Sequence, residues 1–199
     1  MKAFSQACQN NKVPILGRLR PLLAARHSVL EIGSGTGQHA AFLAAALPHL
    51  VWQTSDVAQN HAGIEAWIDG VDNVLPPLDL DVDAGEWPLQ HYDAVFSANT
   101  SHIMHWPTVK NMFEGISRVL NPGGVFALYG PFNYRGEFTS PSNEAFDRDL
   151  RANDSGMGIR DFEAVRDLGV SVGLTVIDDY TMPANNRMLV WERGRIGTA

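Results

Sequence analysis

Ser28-Val29-Leu30-Glu31-Ile32-Gly33-Ser34-Gly35-Thr36-Gly37-Gln38-His39 is the stretch that decides the fold. Its first half is a short apolar strand. Glycines then recur at alternate positions, 33, 35 and 37, and a helix is predicted over 38–47. Glycine has no Cβ and tolerates positive φ, so the chain turns sharply there and comes close to a ligand. The first turn of the helix aims its free N–H groups at the same place. Strand, tight turn and helix together predict a site for a nucleotide-type cofactor. The competing reading is a glycine-rich turn with no ligand.

The spacing separates two cofactor classes. The dinucleotide pattern G-x-G-x-x-G needs a third glycine for close helix–strand packing. Its place is taken here by Gln38. The chain reads E-x-G-x-G-x-G instead, with Glu31 two residues ahead of Gly33. This resembles the first motif of class I S-adenosylmethionine-dependent methyltransferases. The resemblance implies that Gly33, Ser34, Gly35 and Gly37 lie against the methionine and ribose part of S-adenosylmethionine. An acidic Glu31 suits a cationic ligand with an α-amino group better than a pyrophosphate.

Composition bounds the rest. A chain of 199 residues is long enough for one domain with an ordinary core. A net charge of -7 and the lack of any Lys/Arg run argue against a nucleic-acid partner. The one cysteine, Cys8, has no internal disulfide partner and predicts a reducing, cytoplasmic setting. Residues 1–12 are polar, without the apolar core of a signal peptide, and no run is apolar enough to cross a bilayer. No membrane partner and no metal are expected.

Taken in order, residues 1–12 read as irregular. A helical stripe, Ile15, Leu16, Leu19, Leu22 and Leu23, then runs over 13–25, started or broken near Pro14 and Pro21. A second strand over 50–56 ends in Asp56, 19 residues after Gly37. A carboxylate at about that offset accepts from ribose hydroxyls in nucleotide-binding α/β domains. An N-cap for a helix over 59–68 is the alternative role for Asp56. The third strand, 73–82, contains Pro76-Pro77, which confines its first half to an edge or a turn. The resemblance implies that Asp81, with the Val82 N–H, holds the adenine edge; Asp79 is the alternative. The fourth strand, 92–99, is almost continuously apolar, as a buried parallel strand should be. Its exit delivers Asn99, His102, His105 and Trp106, a wall of the predicted pocket, since ligands sit beyond the carboxyl ends of parallel strands. An amphipathic helix over 107–120 precedes a fifth strand, 125–131, whose exit, Phe132-Asn133-Tyr134-Arg135, is a second wall. Helices follow over 143–153 and 159–169. Strands over 172–180 and 188–193 are joined by a short link containing Asn185-Asn186 and should pair antiparallel.

Further stretches narrow the resemblance. They include Asn11-Lys12-x-Pro14-Ile15-Leu16, Trp52-Gln53-x-Ser55-Asp56, Asn99-x-x-His102-Ile103, Leu128-Tyr129-Gly130-Pro131, Gly158-Ile159-Arg160-Asp161 and Met182-Pro183-Ala184-Asn185-Asn186. Together with Pro141-Ser142-Asn143-x-x-Phe146-Asp147 they resemble domain-of-unknown-function family 938, the relatives of methyltransferase-like protein 26. Where that family has Glu-Arg before its Asn-Lys pair, this chain has Gln9-Asn10. The resemblance implies an α/β, Rossmann-like class I methyltransferase fold: a mostly parallel seven-stranded sheet with an antiparallel last strand and helices on both faces. Residues 1–199 are expected to form one such domain, with an N-terminal helical segment over 1–26.

The functional expectation is methyl transfer from S-adenosylmethionine to a small molecule. Glu31, Gly33, Ser34, Gly35, Gly37, Asp56, Asp81, Val82 and Asn99 are the candidate cofactor residues. His102 is the candidate base or substrate orienter, with Tyr134 as a second catalytic candidate. Asn133, Asn143 and Arg160 are candidate substrate residues, Arg160 because a guanidinium binds a carboxylate bidentately. The alternatives are a module that binds the cofactor or a partner without catalysis, and a nicotinamide-dependent oxidoreductase. A pocket plugged by Trp106, Phe132 or Tyr134 favours the first. Gln38 and the antiparallel end of the sheet count against the second.

Overall fold

The computed structural model describes residues 2–84 and 86–194. Met1, Gly85 and residues 195–199 lie outside it, and with them the ends of the expected 1–199 span and one residue of the loop after the third strand. The first strand, β1 (Ser28–Ile32), pairs in parallel with β2 (Val51–Asp56) on one side and β4 (Tyr92–Ala98) on the other. The edge strand β3 (Val74–Asp79) follows β2, and β5 (Leu120–Gly130) follows β4. Beyond β5 come β9 (Asn186–Arg193) and β8 (Leu174–Met182), giving the order β3-β2-β1-β4-β5-β9-β8. Strand β9 is antiparallel to both neighbours, as the short link to β8 requires. This is the predicted sheet.

Successive residues of the central strands serve opposite faces, as the strand period dictates. Val29, Ala94, Phe96, Val125 and Ala127 enter one core with α1 (Gln6–Leu22), α2 (Gln38–Ala46) and α3 (His61–Ile68). Leu30, Val95, Phe126 and Leu128 enter the other with α4 (Trp106–Val119) and α6 (Phe162–Ser171). Strand order reverses between β1 and β4, so a crevice opens beyond their carboxyl ends.

Several boundaries differ from the sequence reading. Helix α1 begins at Gln6, inside the stretch expected to be irregular, because the Ser5 hydroxyl accepts from the Cys8 N–H and caps it. Its buried stripe is Asn11, Ile15 and Leu19, so a polar residue starts the apolar face. Pro14 and Pro21 lie inside this helix rather than bounding it. Pro76 and Pro77 sit on the edge strand at a break in its ladder, where the register shifts between Gln53–Leu75 and Ser55–Leu78. Gln53 Nε2 and Thr54 Oγ1 donate to the Pro76 and Leu75 carbonyls across the register shift there. Helix α5 (Pro141–Asn153) starts slightly earlier than expected, capped by Ser140. Helix α6 starts later: Arg160–Asp161 form β7, which pairs in parallel with β6 (Phe132–Asn133).

Candidate functional site

The glycine turn leaves β1 with three left-handed residues, each glycine for a different reason. Gly33 (φ 68°) would place a Cβ 2.7 Å from the Thr100 methyl. Gly37 (φ 84°) would place one 2.8 Å from Ile64 Cα, so α2 starts hard against α3. At Gly35 (φ 57°) the nearest atom is 4.0 Å away, so the apex of the turn is open. Gln38, at the position that excluded the dinucleotide pattern, is buried and works as a clamp. Its Oε1 accepts from the Ser5 N–H and its Nε2 donates to the Ser5 carbonyl. That contact fastens the start of α1 over the turn.

Acidic groups hold the turn from behind. Glu31 Oε2 accepts from Ser34 Oγ at 3.0 Å and Trp52 Nε1 at 3.1 Å. Burial pushes the Glu31 pKa up to about 7 against the pull of these two donors, and the Asp56 charge adds to the rise. Asp56 ends β2. Its Oδ2 accepts from the Gly35 N–H at 2.7 Å, and its Oδ1 from the Val57 N–H and Asn60 Nδ2, each at 2.8 Å. Asp56 therefore supports both the turn and the entry to the next helix. A cleft of about 150 Å³ runs from Gly33 past Asp56, Leu80, Asp81 and Val82 to Met104 and Thr108. Asp81 Oδ1 accepts from the Asp83 N–H, while Val82 is buried.

On the other side of Gly33 lies a larger cavity of about 560 Å³. Its walls include the turn, Asn99 and His102 from the β4 exit, Pro131 from the β5 exit, Asn143 and Phe146 from α5, and Cys8 from α1. Asn99 takes φ 61°, and its N–H donates to the Tyr129 carbonyl. His102 is 5% exposed, packs edge-on to Phe146 at 5.3 Å, and leaves Nδ1 buried without a hydrogen-bond partner. Burial, reinforced by the Arg160 guanidinium, pulls its pKa down to about 4. The imidazole is therefore neutral near pH 7. Asn143 Nδ2 donates to Thr139 Oγ1 and the Asn185 carbonyl, which fixes its side chain in the cavity wall.

Three expected pocket residues sit elsewhere. The Tyr134 hydroxyl donates to Asp179 Oδ2 at 2.8 Å, and its ring stacks on Phe162. Burial and that carboxylate hold its proton far more tightly than usual, which unsuits it as a base. It does not line the cavity. Arg160 donates to the carbonyls of Ser101, Met104 and Gly156. Its guanidinium fixes the loop after β4 and does not face the cavity. Asn133 is buried in the β6 and β7 pairing, also away from the cavity.

The sequence reading missed other parts of the wall. His39 Nε2 lies 2.7 Å from Asn11 Oδ1, and its Nδ1 faces Cys8 Sγ at 3.6 Å. Asn186, in the turn-forming pair, and Phe146 also line the cavity. His39 followed the glycine motif directly, so that signal was present. The contribution of α1 was not, because only the folded chain brings Cys8 over residues 33–37. Among the described residues, no cluster of His, Cys, Asp and Glu has metal-holding geometry, and no helix is long and apolar enough to cross a membrane.

Comparison with known proteins places this geometry. The fold matches an O-methyltransferase family protein from Burkholderia thailandensis with a TM-score of 0.81 at 16% identity, covering 96% of this chain and 58% of that one. It matches human N-acetylserotonin methyltransferase, solved in complex with S-adenosylmethionine, equally well: TM-score 0.81, 15% identity, 95% of this chain and 53% of that one. Among curated proteins, a sterol 24-C-methyltransferase of Gibberella zeae is 29% identical over 155 residues, 76% of this chain and 38% of that protein. The Kluyveromyces lactis sterol 24-C-methyltransferase is 22% identical over 166 residues, 82% of this chain and 44% of its own length. The chain thus spans less than half the length of each of these two relatives. The profile described as "Protein of unknown function (DUF938)" matches residues 2–193, so the chain belongs to the DUF938 family and carries the Rossmann-like fold of class I methyltransferases.

Proposed function

We propose that this chain binds S-adenosylmethionine across the glycine turn and transfers its methyl group to a small molecule. The observation that carries the reading is the meeting of two clefts at Gly33. One contains Asp56, Asp81 and Val82; the other contains His102 and Asn143. Adenine lies against Asp81 and the Val82 N–H, and the ribose diol donates to Asp56. The methionine part crosses Gly33, Ser34, Gly35 and Gly37 towards Asn99, with Glu31 behind the turn. The open apex at Gly35 leaves room for such a ligand, whereas only the Cβ directions of Gly33 and Gly37 are filled by protein atoms.

The bound sulfonium supplies an already activated methyl group. The chain's own task is to hold the acceptor in line with the S–CH₃ bond and to exclude water. His102 orients the acceptor; with a pKa near 4 it is a weak general base. Trp106, Phe132 and Tyr134 are not in the cavity wall, which favours catalysis over a plugged binding module. Gln38 and the antiparallel β9 weigh against a nicotinamide enzyme. The single cysteine fits a reducing, cytoplasmic setting, and the absence of a basic run argues against a nucleic-acid acceptor. Calorimetry with S-adenosylmethionine and S-adenosylhomocysteine tests the reading. Saturable one-site binding of both is expected, and binding of neither removes it.

A further inference from the structure

We propose that the methyl acceptor is a small, electrically neutral molecule recognised through hydrogen bonds by asparagine side chains, and that carboxylated and phosphorylated compounds are rejected. This rests on the methyl-transfer reading and names its substrate class. None of the residues lining the 560 Å³ cavity is Asp, Glu, Lys or Arg. Its two histidines, His39 and His102, are both held neutral: burial, with nearby Lys12 and Arg160 respectively, pulls each pKa down to about 4. Arg160, the expected carboxylate binder, and Arg151 are both committed elsewhere. Arg160 is spent on three carbonyls, and Arg151 on Asp147 at 2.7 Å.

The cavity continues into a second space of about 270 Å³, which shares Ala7, Asn99, Ala184 and Asn186 with it. Asn10, Asn11 and Tyr129 extend that wall, again without a charged group. An asparagine amide offers both donors and an acceptor, so it reads a neutral hydroxyl, amide or ring nitrogen of either polarity. An anion entering the space beyond the methionine end of the cofactor would lose water and meet no cationic side chain in the wall, which is unfavourable. Phe146 and Pro131 supply an apolar wall for the body of such a molecule.

Cys8 provides a probe inside the cavity, and it is the only thiol in the chain. The full chain is treated with methyl methanethiosulfonate, which is neutral, and with its anionic 2-sulfonatoethyl analogue. Each rate is divided by that reagent's rate on free cysteine. The normalised anionic rate is expected to be at least about tenfold lower, a difference of about 1.4 kcal/mol. Ala184→Lys, which adds a cation to the wall, should recover most of that deficit. Equal normalised rates in the unmodified chain would overturn the proposal. In a second arm, a cell extract is incubated with the chain and methyl-deuterated S-adenosylmethionine, and the products are passed over an anion exchanger. Once unreacted S-adenosylmethionine, a net cation, has been removed on a cation exchanger, label in the unretained fraction is expected; label held mainly on the anion exchanger overturns the proposal. Failure of S-adenosylhomocysteine to bind would strike the methyl-transfer reading and leave the neutral lining of the cavity standing, because the thiol rates report on the cavity without any cofactor.

Discussion

The Gly35 N–H donates to Asp56 Oδ2 across 2.7 Å, joining the apex of the glycine turn to the end of β2. The other oxygen of Asp56 is held by Val57 and Asn60, so the carboxylate is oriented before any ligand arrives. Pre-organisation of this kind reduces the ordering cost of binding.

Asp56→Ala should weaken S-adenosylhomocysteine binding by at least about tenfold, or about 1.4 kcal/mol, because it deletes the acceptor proposed for the ribose diol. Calorimetry at a temperature where the variant is fully folded measures this. Unchanged affinity would leave Asp56 as a turn and helix support only.

Two glycines of the turn should respond in opposite ways. Gly37→Ala forces a Cβ against the Ile64 backbone at 2.8 Å and a side chain into φ 84°. A loss of stability of about 2 to 4 kcal/mol in urea unfolding is expected. Gly35→Ala meets open space, so only the left-handed penalty of about 1 kcal/mol applies. Its larger effect should be on cofactor affinity, since the new methyl occupies the apex.

Much of this was legible in the sequence because the deciding signals are local. Strand, turn and the start of the helix lie within twelve consecutive residues, and the strand ends marked by Asp56 and Asn99 follow from apolar runs. What escaped was set by contacts between distant segments. Asn11 hid the start of α1 because a buried polar residue interrupts hydrophobic periodicity. Arg160 reads as an anion binder in isolation, yet its partners are carbonyls up to 59 residues away in sequence. Tyr134 stands at a strand exit, but Asp179 on β8 turns its hydroxyl away from the crevice.

Arg160→Lys should destabilise the loop after β4 without abolishing cofactor binding. A lysine cannot span the Ser101, Met104 and Gly156 carbonyls that the planar guanidinium reaches. Leaving such acceptors unpaired costs about 1 to 3 kcal/mol. Thermal unfolding should shift down while S-adenosylhomocysteine affinity stays within a few-fold. A large loss of affinity with no loss of stability would instead make Arg160 a ligand residue.

Stability should carry two opposed pH dependences. Glu31 has a folded pKa near 7, above its unfolded 4.5, so its contribution is complete below 4.5 and is lost as pH rises through 7. His39 and His102, lowered from 6.5 to about 4, contribute fully above 6.5 and lose that contribution as pH falls through 4. In the parent chain the two trends offset each other between 4.5 and 6.5. Glu31→Gln removes one of them, so its unfolding free energy should rise with pH more steeply than the parent's. The divergence across the Glu31 window is about 3 kcal/mol. Parallel urea curves for the two proteins at all pH values would contradict the raised Glu31 pKa.

The last expectation concerns what His102 does. With a pKa near 4 it is neutral through the physiological range and has little drive to take a proton. Its proposed role is to hold the acceptor, with the ring fixed edge-on to Phe146. His102→Gln keeps a neutral hydrogen-bonding group, so transfer of labelled methyl should fall by no more than about tenfold, mostly through KM. The ratio of parent to variant rates should also stay flat from about pH 6 to 8, because no proton leaves or joins His102 there. A fall in kcat of about a thousandfold, with a ratio that changes across that range, would instead make His102 the general base. Its pKa would then have to rise when cofactor and acceptor close over it.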